Sequence, residues 1–189
     1  MSKNISTARE RILQVSHDLF YQEGIRATGI DRIIKEAGVT KVTFYRHFPS
    51  KNDLIMAFLE YRHQRWINWF GTTLTAEMSV SGTLIKVLPA VLKKWFMSTE
   101  FRGCAFINSV VEFSQALPEI QPVVQSHKQE MIEILAEFLP VTSEKWVLAK
   151  QIALLIDGAI VMAQYGEESN QVVSLVEKWM SLHSELLNQ

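Results

Sequence analysis

Residues 38–54 read GVTKVTFYRHFPSKNDL, and this stretch decides the fold. It holds a helix-sized segment ending near His47, then Pro49, then a second helix start at Ser50. Thr40 offers the side-chain oxygen that caps a helix N-terminus. Ser50 and Asp53 have the spacing of a capping box. At 3.6 residues per turn, Phe44 and Phe48 share one face of the short helix. They are expected to pack inward against Ile33, Ile34 and Val39. The opposite face then presents Val42, Thr43, Tyr45 and Arg46. Lys41 sits at the helix start, where free N–H groups attract phosphate.

The residues just upstream complete a unit. Thr7 is placed to cap a first helix with Ile12, Val15, Leu19 and Phe20 as its inner stripe and Gly24 as its stop. Thr28 is read as the cap of a short second helix that Gly38 ends. Two short helices joined by a tight glycine-containing turn form a helix-turn-helix, whose second helix enters the DNA major groove. Tyr45 and Thr43 suit phosphate oxygens, Arg46 a guanine edge and Val42 a thymine methyl. Lys51, in the first turn of helix four, adds a cation beside another helix N-terminus. The alternative is a solvated amphipathic face.

Charge supports the first reading. Residues 1–65 carry 11 Lys and Arg against 7 Asp and Glu, whereas the remainder carries 8 against 13. A basic head on an acidic body points to a polyanion partner for the head alone. The single cysteine, Cys104, forms no internal disulfide, which fits a reducing cytoplasm. The polar N-terminus lacks the apolar core of a signal peptide. The longest apolar run, residues 152–163, is interrupted by Asp157 and is shorter than a bilayer span. No membrane association is expected.

The stretch TGIDRIIKEAGVTKVTFYRHFPSKNDL resembles the DNA-binding region of the TetR/AcrR family of bacterial regulators, as does LFYQEGIRAT before it. The resemblance covers roughly the first 65 residues. It implies a three-helix DNA-binding head, a larger helical ligand-binding body and a homodimer. It also implies DNA contacts by Thr28, Thr40, Lys41, Thr43, Tyr45, His47 and Lys51. Two positions depart from the family pattern. Val42 stands where a small residue is frequent. Gly29 stands where Ser or Thr is usual, so one phosphate-contacting hydroxyl is missing.

No segment alternates as a strand does, and the apolar residues fall at helical spacing. The expected fold is all-α with about nine helices. A DNA-binding domain spans residues 1–51, and a ligand-binding and dimerisation domain spans residues 52–189. Helix four runs through Trp66 toward Phe70. Turn signals at 79–82, 102–103, 117–118, 140–143 and 166–170 divide the rest. Large rings crowd the body, and most of them must be ordinary packing. An apolar or aromatic small-molecule site is nevertheless expected from Trp66, Phe70, Trp95, Phe96, Phe106 and Phe113. Asn108, Val110, Glu112, His127 and Met131 are the companion candidates. FRGCAFINSVVE resembles a segment that opens the sixth helix in a TetR subgroup.

Cys104 reads as a small buried hydrophobe rather than a reactive thiol. No phosphate loop, paired cysteines or His-rich cluster is present, so neither catalysis, a metal nor a cofactor is expected. In the last two helices, Val172, Val176, Trp179, Met180 and His183 form an apolar stripe beside the small residues Gly158, Ala159 and Ala163. One reading buries both helices against the body. The preferred one pairs them with the same helices of a second chain. The expected protein is a cytoplasmic homodimeric repressor that binds a palindromic double-stranded operator and leaves it when a small molecule fills the body. An activator of the same fold and a helical carrier protein are the alternatives.

Overall fold

The structure is a computed structural model that describes residues 6–113 and 115–187. The first five residues, on which the reading of a polar N-terminus partly rests, lie outside the described ones. Among the described residues all regular structure is helical. The chain divides into two compact units. One comprises the chain up to Gln64 with Ala105–Val123, and the other Arg65–Cys104 with the chain from Val124 onward.

The first unit is built on α1 (Ala8–Glu23), α2 (Ile30–Glu36) and α3 (Lys41–His47). Thr7 and Glu10 close a full capping box on α1, and Gly24 ends it at a φ of 91° that favours glycine. Its core is Ile12, Leu19, Phe20, Ile33, Ala37, Phe44 and Phe48. The N-cap of α2 is Gly29, not Thr28. The buried Thr28 hydroxyl instead donates back to the Gly24 carbonyl at 2.8 Å. Arg11 donates to the Ala37 carbonyl at the end of α2, 3.2 Å away.

Helix α4 (Lys51–Ser81) contributes its first turns to this unit. Leu54, Ile55, Phe58 and Leu59 are buried there, with Phe58 edge-on to Phe20 at 5.4 Å. The expected division after residue 51 therefore falls inside the first unit. The helix also continues well past Phe70. Thr72 and Thr75 sit in its interior, and their hydroxyls bond back to the carbonyls of Asn68 and Gly71 at 2.6 and 2.9 Å. The helix ends only at Gly82, whose φ is 70°. Helix α6 (Ala105–Phe113) completes the first unit.

The second unit holds the rest of α4, α5 (Leu84–Phe96), most of α7 (Ile120–Glu137), α8 (Lys145–Gln164), α9 (Ser169–Leu182) and a final turn α10 (Ser184–Leu187). Helix α9 packs on α5 and α8, and α10 packs on α5 and α9. Ile152, Ile156, Ala159 and Ile160 of α8 and Val172, Val173, Val176 and Met180 of α9 are buried. Helix α8, with 20 residues and an 18-residue stretch of mean hydropathy 1.7, is long and apolar enough to cross a membrane by length and composition. The shorter run of residues 152–163, broken by Asp157, lies within it. One face of the helix, with Ile152, Ile156 and Ile160, is buried, whereas Leu154 and Val161 are exposed.

Two glycines make a contrasting pair. Gly103 lies before α6 at a φ of 81°, and a Cβ there would stand 2.0 Å from the Gln164 side-chain oxygen. Gly29 has an ordinary φ of −84°, and nothing lies within 4 Å of an added Cβ. Gly103→Ala is expected to cost about 1–2 kcal/mol, mainly from the left-handed backbone. Gly29→Ser is expected to add a few tenths of a kcal/mol by capping α2. Urea denaturation of the two variants checks both signs.

Candidate nucleic-acid interface and aromatic site

Helix α3 owes its orientation to two rings. Phe44 is fully buried and Phe48 nearly so, with centroids 6.2 Å apart. The Arg9 guanidinium covers the Phe48 ring at 5.2 Å. The Thr40 hydroxyl accepts from the Thr43 N–H at 3.1 Å and bonds the Thr43 hydroxyl at 2.9 Å. That cap leaves the outer face open. Val42 is 79% exposed and Tyr45 39% exposed. Lys41 and Arg46 are exposed, and Thr43 and His47 half-buried. Lys41 stands 3.6 Å from Asp31, both of them solvent-facing, so the pair is screened and readily exchanged.

Two members of the expected DNA-contacting set are held differently. Thr28 is buried, with its hydroxyl on Gly24. The Lys51 ammonium donates to the carbonyls of Ile25 and Thr28 at 2.7 Å each and lies 5.9 Å from the Phe20 ring centre. Burial pushes its pKa down, and the Glu112 carboxylate opposes that shift. Lys51 thus pins the loop between α1 and α2.

Arg26, in the same loop, was not singled out by the sequence reading. Its backbone N–H donates to the Glu112 carboxylate at 3.1 Å, and its guanidinium donates to the Glu112 carbonyl. It also covers the Phe113 ring at 5.3 Å. A cation in a loop gives no hint of a partner 86 positions away.

The candidate effector residues divide between the units. Phe106, Asn108, Val110, Glu112 and Phe113 lie on α6 in the first, where Glu112 and Phe113 are engaged by Arg26. The second unit gathers the others into a ring cluster. Trp66 stacks on Phe70 at 4.7 Å, meets Trp95 at 5.4 Å and meets His127 edge-on at 5.1 Å. Phe96 lies 5.9 Å from Trp95. Met131, one turn beyond His127 on α7, is buried. Cys104 is buried too, 3.8 Å from the Lys128 ammonium, which pairs with Asp157.

The expected dimer residues also separate by environment. Ala159, Val172, Val176 and Met180 are buried within the unit. Gly158 is exposed, and Ala163, Trp179 and His183 are half-buried. Gly158 and Trp179 line an open groove of about 510 Å³ between α8 and α9, together with Leu154 and Leu175. Leu154 is 75% exposed, and Val161, Leu175 and Leu182 are exposed as well. Ala159, Val172, Val176 and His183 line the same groove, so the sequence stripe reaches this surface while the exposed rim at Leu154, Leu175 and Leu182 lies outside it.

Residues 12–58 match the model of the bacterial regulatory proteins of the tetR family. An HTH-type transcriptional regulator of Staphylococcus aureus is 40% identical over 72 residues, covering 38% of this chain and 37% of that protein. A second, from another strain, is 43% identical over 54 residues, covering 29% of each. The match thus spans 37% and 29% of these relatives' length. Among solved structures, a TetR-family transcriptional regulator from Streptomyces coelicolor aligns with a TM-score of 0.78 and 29% identity, covering 96% of both chains. The reduced form of E. coli NemR aligns with a TM-score of 0.74 and 20% identity, covering 93% of this chain and 96% of that one, a likeness of fold.

The geometry separates two lysines. Lys51→Ala is expected to lower stability by about 2–3 kcal/mol, because it removes charge-assisted bonds to two carbonyls. Lys41→Ala is expected to leave stability unchanged and to reduce the salt slope of duplex binding by about 1. Thermal melts and salt-dependent duplex titrations of both variants distinguish the roles.

Proposed function

This chain belongs to the TetR family of bacterial regulatory proteins, with a helix-turn-helix DNA-binding head in an all-α fold, and we propose that it is a ligand-released repressor. A homodimer binds a palindromic operator, and a small apolar or aromatic effector lowers its affinity. The observation that carries this reading is the outer face of α3. Val42, Tyr45, Lys41 and Arg46 stand open to solvent on a capped helix whose opposite face is locked by Phe44 and Phe48.

One such helix reads few base pairs. A twofold dimer sets two of them about 34–36 Å apart, in successive major grooves. The apolar surface around Leu154, Val161, Leu175 and Leu182 supports that assembly, since a patch of this kind on a soluble chain marks an interaction site. A DNA-binding head, together with the buried Ile152, Ile156 and Ile160 face of α8, favours a soluble, cytoplasmic protein. Helix α4, which both units share, is the proposed route of coupling. It carries Lys51 beside the loop of the head and Trp66 and Phe70 in the ring cluster. An effector shifts operator affinity only by its differential affinity for the two states. No catalytic role is assigned.

Fluorescence anisotropy with a random duplex is expected to show binding that falls steeply between about 50 and about 200 mM salt. Rounds of selection from a random pool are expected to enrich a palindrome. Salt-insensitive or absent binding would favour the carrier reading. Leu154→Glu combined with Leu175→Glu is expected to give a helical monomer by light scattering, with operator binding reduced at least a hundredfold. A dimer that survives both charges places the interface elsewhere.

A further inference from the structure

The ring cluster contains a polar atom that packing alone does not explain. Trp66 is 7% exposed, and its indole Nε1 is buried with no hydrogen-bond partner among the described residues. Buried donors are nearly always paired, because an unpaired one loses its water without compensation. The rings that meet the Trp66 ring are Trp69, Phe70, Trp95 and His127. An N–H turned toward a ring face gains much less than one turned toward oxygen.

The same cluster is accessible from its edge. Trp69, 6.3 Å from Trp66, is half-exposed, as is Phe101, which meets Trp95 edge-on at 5.4 Å. These two outer rings form the solvent edge of the cluster, where an effector would enter. Stacked and edge-on rings favour a flat guest. A single neutral N–H matches the desolvation of a carbonyl or ether oxygen, whereas a carboxylate needs a cation or several donors.

We propose that Trp66 Nε1–H is the recognition donor for the effector, and that the effector is a flat, uncharged, ring-containing molecule bearing one oxygen acceptor. This rests on the effector reading given above and adds its chemical class. It also assigns different tasks to the two stacked rings: Phe70 supplies only surface, and Trp66 supplies surface and direction.

The test uses the full chain with 15N-labelled tryptophan and two bicyclic probes that differ by one carbonyl, 1-tetralone and tetralin. The five indole N–H resonances are assigned with Trp→Phe variants. If Trp66→Phe does not fold, Trp66 is assigned by elimination from the variants at Trp69, Trp95, Trp146 and Trp179. The expected result is a Trp66 proton that is upfield without probe, moves downfield with 1-tetralone and lacks that shift with tetralin. Affinity for 1-tetralone should exceed that for tetralin about tenfold, the effect of one net hydrogen bond. In a folded Trp66→Phe variant that preference should vanish. A Trp66 proton already downfield without probe, as with a bound water, overturns the assignment. So does a resonance unmoved at the solubility limit of 1-tetralone, or a preference that survives Trp66→Phe. Duplex affinity is read separately. A chain that never binds duplex defeats the repressor reading whatever the indole does, and an unmoved indole in a duplex-binding protein defeats the donor assignment alone.

Discussion

The burial of Phe44 and Phe48 is the constraint on which the DNA-binding reading depends. Helix α3 has seven residues, too few to hold a helix in water unaided. Its shape comes from a cap at Thr40 and from two rings sunk into the core. Losing a buried Phe costs about 3–5 kcal/mol, a large share of the 5–15 kcal/mol typical of a domain. The rings therefore fix the rotation of the helix about its axis as well as its presence. With that rotation fixed, Val42, Tyr45 and Arg46 have no position except the surface.

The loop between α1 and α2 is secured with similar care. Lys51 holds two of its carbonyls, Thr28 bonds Gly24, and Arg26 reaches Glu112 and Phe113 on α6. Apart from Thr28–Gly24, four residues apart, these contacts join positions more than twenty residues apart. They tie α6 into the same unit as the head, so part of what the sequence reads as ligand-binding body is mechanically part of the DNA-binding unit. The remaining rings, from Trp66 to His127, form a separate cluster whose odd member is the unpaired indole.

How much of this was legible in the sequence follows the range of the forces involved. Local signals were readable: the Thr7 and Thr40 caps, the stop at Gly24 and the inward pairing of Phe44 with Phe48 at one-turn spacing. The length of α4 was not: the expected helix runs toward Phe70, whereas α4 continues through Thr72 and Thr75, whose hydroxyls bond to their own helix, to Ser81. Cations mark a DNA-facing segment by composition, but composition does not separate Lys41, open to solvent, from Lys51, consumed by carbonyls. That difference lies in contacts across more than twenty residues. On α9 the apolar pattern is wide enough to offer two stripes. The sequence does not show that Val172, Val176 and Met180 face inward while Leu175 and Leu182 face out.

The most direct measurement is where α3 lies on DNA. Val42 is the most exposed of the apolar residues on that face, and a photo-crosslinking phenylalanine analogue at this position reports its nearest neighbour. With a duplex selected from a random pool, ultraviolet irradiation should join position 42 to bases in the major groove of each half-site. The same analogue at Val141, exposed in the second unit, should give no DNA adduct. Crosslinks from position 141 with none from position 42 would contradict the account.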